Sequence, residues 1–320
     1  MIKNLEINNF KSIRNLKLKC KKINIFIGEP NTGKSNILEA LGIFSFGQYG
    51  NLKDFVRFEN MSNLFYDENL ENAIKIKADD RLLEISFKNG KFKGTCHLIE
   101  KEIFHFDYDY NAVGTSSYSQ EPSLFKFYKF VIRENFPKKE ADFLLPPFGE
   151  NLLAILSTNK ELRTIVSEIF NRFGLKLVLK PQEKKIEVLK QYEDVFISLP
   201  YSLASDTLQR IVFYLAIVYS NKNSILTFEE PESYAFPYYT KYLAELIALD
   251  KNNNQFFIST HNPYFLLSVL EKSAKDDVAI FITFFEKYQT KIKILSEKEK
   301  EEILDGKMDV FFNIERFLEK

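Results

Sequence analysis

The chain has 320 residues, of which 45% are hydrophobic and 28% charged, a balance typical of a folded globular protein and not of a disordered or fibrous one. Its 44 basic and 44 acidic side chains leave no net charge, which argues against a constitutive nucleic-acid coat but is compatible with a local basic patch. Cys20 and Cys96 cannot supply a disulfide framework, which favours a reducing compartment. The longest apolar run, residues 211–219, is too short to span a bilayer, and the polar N-terminus does not have a signal-peptide pattern. We therefore expect a soluble cytoplasmic protein without a membrane partner.

Four elements are predicted in the first fifty residues. Apolar and polar residues alternate over residues 2–7 and 13–18, which is typical of half-buried strands. A β-branched and aromatic run over residues 23–27 predicts a buried strand, and residues 36–47 are helix-prone. A glycine-containing turn joins these last two elements.

The middle of the chain predicts a mixed region without a coiled-coil arm, because no heptad pattern persists there. It contains signals for a hairpin at Asn89-Gly90, a strand, two helices, of which the second is closed by Gly174, and a further hairpin. These elements are predicted over residues 82–99, 103–108, 152–156, 161–173 and 175–189. We expect a single domain over residues 1–320, with residues 50–197 as an inserted mixed α/β lobe.

After residue 200 the pattern alternates between helix and strand, which is typical of parallel-sheet units. Ser296 and Glu299 have the spacing of a capping box and open a charged helix. The elements predicted before it are a helix over 207–219, a strand over 224–228, a helix over 236–249, and strands over 255–259, 278–285 and 291–295.

A phosphate-binding pattern follows the first buried strand. Residues 28–35 read Gly-Glu-Pro-Asn-Thr-Gly-Lys-Ser and match GxxxxGK[ST] between a strand and a helix, a context that disfavours a plain glycine-rich turn. Glycines let backbone N–H groups wrap an anion, and the following helix directs its positive end at the phosphates. We expect a solvent-accessible Lys34 on the β- and γ-phosphates and Ser35 in a Mg²⁺ shell. The candidate nucleotide ligands are Gly28, Glu29, Pro30, Asn31, Thr32, Gly33, Lys34, Ser35 and Asn36.

Two adjacent carboxylates end the predicted strand before residue 230. Glu229 and Glu230 are expected at the carboxyl edge of the sheet, where ligands bind in open α/β folds. Glu229 can hold Mg²⁺, and Glu230 can orient or deprotonate the water that attacks a γ-phosphate. An acidic cap after a core strand is the structural alternative.

A lone histidine, His261, follows the next buried strand, in Ile-Ser-Thr-His. It can hydrogen-bond a γ-phosphate or the attacking water, although a single histidine at a strand end is also a common structural feature. His97 and His105 have no acidic or thiol partners at ligand spacing, so a metal role for them is not expected.

Ser205, Asp206 and Thr207 precede the apolar helix that begins near residue 207. Capping of that helix is the ordinary explanation for such residues. The same geometry, a helix N-terminus surrounded by hydroxyls, also makes an anion site.

Taken in order, these motifs resemble an ABC-type ATPase head of the SMC/RecF/OLD branch. The resemblance rests on Asn9-Phe10-Lys11-Ser12 with GEPNTGKSNILEAL, on ISLPYSLASDTLQR as the signature motif, on ILTFEEPE as Walker B and on ISTHNP as the switch-histidine segment. The string at 229–232 and the segment 145–151 resemble the OLD-like ATPases in particular. The likeness spans nearly the whole chain and is strongest over 1–47 and 198–270.

The resemblance implies a P-loop NTPase fold of the ABC/SMC-head type, with a parallel core sheet and an antiparallel β-subdomain. It also implies ATP and Mg²⁺ as cofactors, with Lys34 and Ser35 as phosphate and metal ligands and Glu229 as the Walker B acid. Glu230 matches the catalytic glutamate and His261 the switch histidine. Ser205 matches the signature serine that reaches a nucleotide bound by a second subunit, so an ATP-dependent homodimer is expected.

Several positions depart from the family pattern. Thr207 replaces the glycine of the signature, and Glu229 stands where an aspartate is usual. Gln48 is a guess for the Q-loop, and Arg57 lies where SMC-type heads carry an interface arginine, although a solvated surface arginine is the simpler interpretation. After His261 the chain has no DxD pair in Glu-rich surroundings that would indicate a TOPRIM domain, so nuclease activity is not expected.

The sequence thus predicts an ATPase whose ATP-dependent dimerisation switches an effector protein, with DNA repair or anti-phage defence as the setting and DNA as a candidate ligand. Three alternatives remain: a non-hydrolytic ATP sensor, a P-loop kinase and a transporter ATPase. Glu230 and His261 argue against the sensor, whereas Thr207 favours it. Lys34 and Glu229 are 195 positions apart, which argues against the kinase, and the N-terminal strands argue against the transporter.

Overall fold

A computed structural model describes residues 1–119, 122–306 and 309–319. Its strands are β1 Asn4–Phe10, β2 Ile13–Lys19, β3 Ile23–Ile27, β4 Ile74–Ala78, β5 Arg81–Lys88, β6 Lys91–Leu98, β7 Lys101–Tyr108, β8 Gly114–Tyr118, β9 Phe125–Tyr128, β10 Leu175–Lys180, β11 Lys185–Tyr192, β12 Val195–Pro200, β13 Ile225–Glu229, β14 Gln255–Ser259, β15 Val278–Glu286 and β16 Gln289–Ile294. Its α-helices are α1 Lys34–Tyr49, α2 Leu52–Phe55, α3 Leu152–Thr158, α4 Lys160–Asn171, α5 Asp206–Ser220, α6 Pro237–Ala248, α7 Pro263–Lys272, α8 Glu297–Leu304 and α9 Ile314–Leu318.

The described strands form three sheets. The core sheet has the order β16-β15-β3-β14-β13-β9, and among these described strands β16 alone is antiparallel to its neighbour. An antiparallel sheet has the order β2-β1-β4-β5-β6-β7-β8, and a smaller antiparallel sheet has the order β10-β11-β12. The parallel core sheet and the antiparallel subdomain expected from the sequence are both present. Residues 50–197, expected as one inserted lobe, instead contribute strands to all three sheets.

Alternating side chains of the core sheet pack into two separate hydrophobic clusters. Ile25 and Ile27 of β3 point into the cluster that contains α3 to α7, whereas Phe26 points into the cluster that contains α1 and the larger antiparallel sheet. Because both faces are covered, the core strands are continuous apolar runs without polar alternation. Within the described part of the chain, no helix combines the length and apolar character needed to cross a bilayer.

The strand order brings distant motifs to one edge of the core sheet. β3, β14 and β13 are neighbours and parallel, and their register pairs Phe26 with Ser259 and Ser259 with Glu229. The segments that follow these three strands therefore leave the sheet side by side. They are the P-loop, the segment that contains His261, and the turn that begins at Glu230.

Candidate nucleotide site

The P-loop joins β3 to α1 through two glycines that have no room for a side chain. Gly28 has φ +148° and Gly33 has φ +94°, and a Cβ atom would lie 2.3 Å from the Thr283 carbonyl oxygen and 2.1 Å from Thr290 Oγ1, respectively. Positive φ is also unfavourable for residues other than glycine. The two glycines thus meet a steric requirement of this loop, which leaves its N–H groups unobstructed for an anion.

Hydroxyl groups of the β15–β16 hairpin hold the P-loop in place, although no sequence motif marks them. Thr283 Oγ1 lies 2.7 Å from Thr32 Oγ1 in the loop. Thr290 Oγ1 lies 2.6 Å from Ser12 Oγ, which in turn accepts a 2.7 Å hydrogen bond from Asn36 Nδ2 at the start of α1. The hairpin and the segment after β1 therefore hold the second half of the loop and the start of α1.

Lys34 is buried, with 6% of its surface exposed, so the expectation that it is solvent-accessible is wrong. Its ammonium group turns back into the loop and donates 2.8 Å hydrogen bonds to the carbonyl oxygens of Gly28 and Glu29. Burial lowers the pKa of Lys34 to about 8, against the opposing effect of the Glu230 and Glu229 carboxylates. A charged lysine held by two carbonyl oxygens is free to exchange them for phosphate oxygens.

Ser35 and Glu229 meet at the base of the loop, where the Ser35 hydroxyl donates a hydrogen bond to Glu229 Oε1. Arg57 Nη2 donates to the same oxygen at 3.3 Å. A hydroxyl and a carboxylate oxygen are the donors that Mg²⁺ takes in phosphate sites. The residues present therefore fit a magnesium ion, and both predicted metal ligands lie together.

Glu230 and His261 lie opposite each other beyond the ends of β13 and β14. His261 Nε2 is 3.4 Å from Glu230 Oε1, and Ser233 Oγ donates a 3.0 Å hydrogen bond to Glu230 Oε2. Both side chains remain about two-fifths exposed, so they are accessible to a ligand. Burial and the Lys34 charge lower the pKa of His261, although Glu230 acts in the other direction. His261 is therefore predominantly neutral at pH 7.

The turn after Glu230 is fixed by Glu232, a residue that no prediction singled out. Glu232 is 5% exposed, and its carboxylate accepts a hydrogen bond from the hydroxyl of Thr260, the residue before His261. Burial raises the pKa of Glu232 to about 7. The residue thus ties the acidic turn to the switch-histidine segment.

Arg57 lies at the surface, as the simpler interpretation expects, with 57% of its side chain exposed, and it is also part of a charged network. Its Nε donates a 2.6 Å hydrogen bond to Oε1 of Glu39, a residue of α1 that is 2% exposed. Lys11 forms an ion pair with the other Glu39 oxygen and donates a 2.6 Å hydrogen bond to the Arg57 carbonyl. Through Arg57 this network reaches Glu229.

The signature residues lie at the start of α5, apart from the P-loop contacts. Ser205 takes the N-cap position, but its exposed side chain makes no capping hydrogen bond, so ordinary capping does not account for its hydroxyl. Thr207 Oγ1 donates a 2.8 Å hydrogen bond to the Tyr234 carbonyl in the loop after β13. The threonine that replaces the expected glycine therefore joins the signature helix to the Walker B loop.

The structure brings Lys34, Ser35, Glu229, Glu230 and His261 together, and leaves the guessed Q-loop residue elsewhere. Gln48 lies fourteen residues beyond Lys34 on α1, about 21 Å along the helix axis. It donates a 3.1 Å hydrogen bond to the Ser119 carbonyl instead. Glu29, Pro30 and Asn31 are exposed in the loop, with Asn31 at φ 61°.

Two family models match separate parts of the chain. The model described as "AAA ATPase domain" matches residues 1–144, and the model described as "AAA domain, putative AbiEii toxin, Type IV TA system" matches residues 197–268. No protein with curated annotation matches the chain. The first matched segment contains the P-loop. The second contains the residues that resemble the signature, Walker B and switch-histidine motifs.

Solved structures of SMC heads are similar to the chain over almost its whole length. An SMC head bound to the C-terminal winged-helix domain of ScpA has a TM-score of 0.54 at 16% identity, covering 92% of this chain and 97% of that chain. An SMC head with an extended coiled coil, bound to the C-terminal domain of ScpA derived from Pyrococcus furiosus, has a TM-score of 0.56 at 15% identity, covering 95% and 98%. The protein therefore has the P-loop NTPase fold of SMC heads. Together with the family models, this fold supports an ATPase of the ABC/SMC type.

Proposed function

We propose that the chain binds ATP with Mg²⁺ and hydrolyses it, and that ATP-dependent dimerisation switches an effector protein. The observation that carries this proposal is the 3.4 Å approach of His261 Nε2 to Glu230 Oε1 at the edge where the P-loop lies. A catalytic carboxylate needs an oriented partner and access to solvent, and this pair has both. The OLD-like branch remains our preferred relationship, on the strength of the Glu-Glu-Pro-Glu string.

Each residue of the site has a separate role in the proposed phosphoryl transfer. The P-loop N–H groups and Lys34 bind the phosphates, and Ser35 with Glu229 would hold Mg²⁺, which neutralises charge on the phosphate oxygens when it is bound. Arg57 donates to the same Glu229 oxygen as Ser35, so its guanidinium also positions this carboxylate.

Glu230 acts on the attacking water in this proposal. Its carboxylate accepts the proton of the water, while the Ser233 hydroxyl and His261 keep it in place. Because the pKa of His261 is lowered, the neutral ring can donate from one nitrogen and accept at the other. His261 thus orients the water or the γ-phosphate without repelling Lys34.

The position of Ser205 supports the proposed dimer. Its hydroxyl is exposed and does not cap α5, so it is available to a nucleotide held by a second copy of the chain. A nucleotide shared by two subunits favours the dimer by mass action, and hydrolysis removes the contacts of the γ-phosphate. We propose a protein effector as the target of this switch, with DNA as a second candidate ligand, in the cytoplasm.

One observation favours a non-hydrolytic ATP sensor as the second candidate. Thr207 occupies the signature position where a glycine is expected, and its hydroxyl is bonded to the Tyr234 carbonyl. A side chain there restricts the approach of a second subunit. The sensor therefore binds ATP but does not assemble a hydrolytic dimer.

Parallel measurements of ATP binding and phosphate release separate the two candidates. The ATPase predicts multiple turnovers in Mg²⁺ that EDTA abolishes, whereas the sensor predicts binding of ATP without phosphate release. Lys34→Ala is the matched control for a contaminating enzyme, because it removes phosphate binding from this chain alone. Phosphate release that Lys34→Ala leaves unchanged does not come from this site.

A further inference from the structure

The tip of the β15–β16 hairpin projects beyond the edge of the core sheet that carries the nucleotide site. β15 pairs with β3 as far as Ile282 opposite Ile27, so residues 283–290 extend past the point where β3 enters the P-loop. The exposed side chains of the tip include two aromatic ones, Phe285 at 52% and Tyr288 at 82% exposure. Exposed aromatic side chains are enriched where proteins contact one another.

The turn at the tip is tight and built from residues that do not favour it. Glu286 pairs with Gln289, so Lys287 and Tyr288 form a two-residue turn, with φ values of 49° and 61°. Turns of this kind favour Asn and Gly, because both turn positions have positive φ. Tyrosine therefore occupies the turn at a conformational cost, and the tip presents its aromatic ring outward.

An apolar pocket of about 730 Å³ opens beside the signature motif. Ser205 and Thr207 line it, together with side chains of the small antiparallel sheet and of the loop before α6. Several of the apolar side chains that line it are between 38% and 69% exposed, namely Phe173, Leu199, Leu203, Phe236 and Tyr238. A pocket of this size and character is large enough to accept an aromatic side chain.

We propose that this pocket receives the hairpin tip of a second copy of the chain in the ATP-bound dimer. The inference rests on the proposed function, in which the P-loop of one subunit faces the signature of the other. The tip stands beside the P-loop and the pocket stands beside Ser205, so the same arrangement that brings Ser205 to the partner's nucleotide brings tip and pocket together. Charge does not oppose this approach, because Arg172 lines the pocket and the tip carries Glu286 beside Lys287. Each two-fold dimer then contains two such contacts.

Dimer dissociation constants in ATP and Mg²⁺ test this contact, measured in the Glu230→Gln background that retains ATP. We expect Tyr288→Asp and Leu203→Asp each to raise the dissociation constant about tenfold or more, the scale of a lost aromatic anchor. Both residues are exposed, so neither substitution disturbs the core. Phe312→Asp and Ile99→Asp are matched controls at 89% and 74% exposure, and they should leave dimerisation unchanged.

Mixing the two variants gives a sharper test, because it distinguishes a reciprocal contact from general weakening. In a heterodimer of Tyr288→Asp with Leu203→Asp, the unchanged tip of the Leu203→Asp subunit meets the unchanged pocket of the Tyr288→Asp subunit. Both substitutions then fall in the other of the two contacts. We therefore expect the mixture to dimerise more tightly than either variant alone. ATP binding by the separate subunits should stay at the level of the parent.

The outcomes distinguish this proposal from the function on which it rests. A parent that dimerises in ATP while Tyr288→Asp dimerises equally well contradicts the contact and leaves the ATP switch intact. If only Leu203→Asp weakens the dimer, the pocket binds another segment or partner. If Tyr288→Asp loses ATP binding, the tip contacts the nucleotide. Either result contradicts the proposal. A parent that stays monomeric in ATP overturns the dimer and this contact together.

Discussion

His261 Nε2 lies 3.4 Å from Glu230 Oε1, although the two residues follow different strands. The contact arises because β13 and β14 are parallel neighbours whose register pairs Glu229 with Ser259, so the residues just beyond each end leave the sheet together. The Glu230 N–H also donates a 3.0 Å hydrogen bond to the Ser259 carbonyl. The proximity of Glu230 and His261 is thus a consequence of strand order.

Lys34→Ala is expected to abolish ATP turnover and to leave the fold intact. The lysine is buried in the loop, where its ammonium group donates to the backbone carbonyl oxygens of Gly28 and Glu29, so its removal does not open the hydrophobic core. Phosphate release from ATP and the circular dichroism of the variant check both halves of this expectation. A folded variant with undiminished hydrolysis contradicts the assignment of the site.

Glu39→Ala is expected to destabilise the protein by about 3–5 kcal/mol, the usual cost of breaking a buried ion pair. It leaves the largely buried ammonium of Lys11 without its carboxylate and releases Arg57. The free energy of unfolding in urea measures the effect. Adding Lys11→Met should recover part of the loss, and a cost below about 1 kcal/mol for the single variant is inconsistent with the network.

Glu232→Gln is expected to gain stability relative to the wild-type protein as the pH rises from 5 to 8. Burial raises the pKa of the Glu232 carboxyl group from 4.5 to about 7 in the folded state. Between these values the unfolded chain releases a proton that the folded chain keeps, so the wild-type protein loses stability as the pH rises, by roughly 3 kcal/mol in total. Glutamine does not titrate and escapes this loss.

The free energies of unfolding of both proteins at pH 5 and pH 8 check the expectation for Glu232. Other titrating groups are common to the two proteins and cancel in the difference. The free energy of unfolding of the variant minus that of the wild type should be more positive at pH 8 than at pH 5, where the buried carboxyl group is protonated. A difference that is the same at both pH values contradicts the raised pKa.

Duplex DNA is expected to bind weakly without nucleotide at physiological salt. The chain has no net charge, so any DNA affinity depends on a local basic patch and should fall steeply as salt rises. Fluorescence anisotropy at several salt concentrations, with and without ATP, measures this dependence. Tight binding of DNA at physiological salt without nucleotide contradicts the partner-dependent switch and indicates a DNA-binding protein.

The contiguous motifs of the site were predictable because each of them is a local signal. The P-loop, Glu229-Glu230 and His261 all follow buried strands, and a parallel sheet places such segments at one edge. The sequence did not predict the contacts between segments that are far apart along the chain. Thr283 and Thr32 are 251 positions apart, and Thr290 and Ser12 are 278 apart, so only the folded chain brings them together.

The sequence also did not predict how individual side chains are oriented. The P-loop motif predicts the position of Lys34 but not that its ammonium group turns inward to two carbonyl oxygens. In the same way, Arg57 resembles any surface arginine until α1 brings Glu39 beside it. Residues 50–197 divided among three sheets because strand pairing is long-range, whereas hydrophobic periodicity reports local structure alone.

The most direct test of the account is the oligomeric state of Glu230→Gln in ATP and Mg²⁺. Glutamine keeps the size of the side chain but cannot accept the proton, so hydrolysis should slow by roughly 10²- to 10⁴-fold while ATP still binds. Light scattering should then show a dimer that depends on ATP, and adding Ser205→Arg should abolish it. A sensor predicts no change in Glu230→Gln, and a kinase predicts no trapped dimer. A Glu230→Gln protein that binds ATP and remains monomeric contradicts the ATP-dependent dimer.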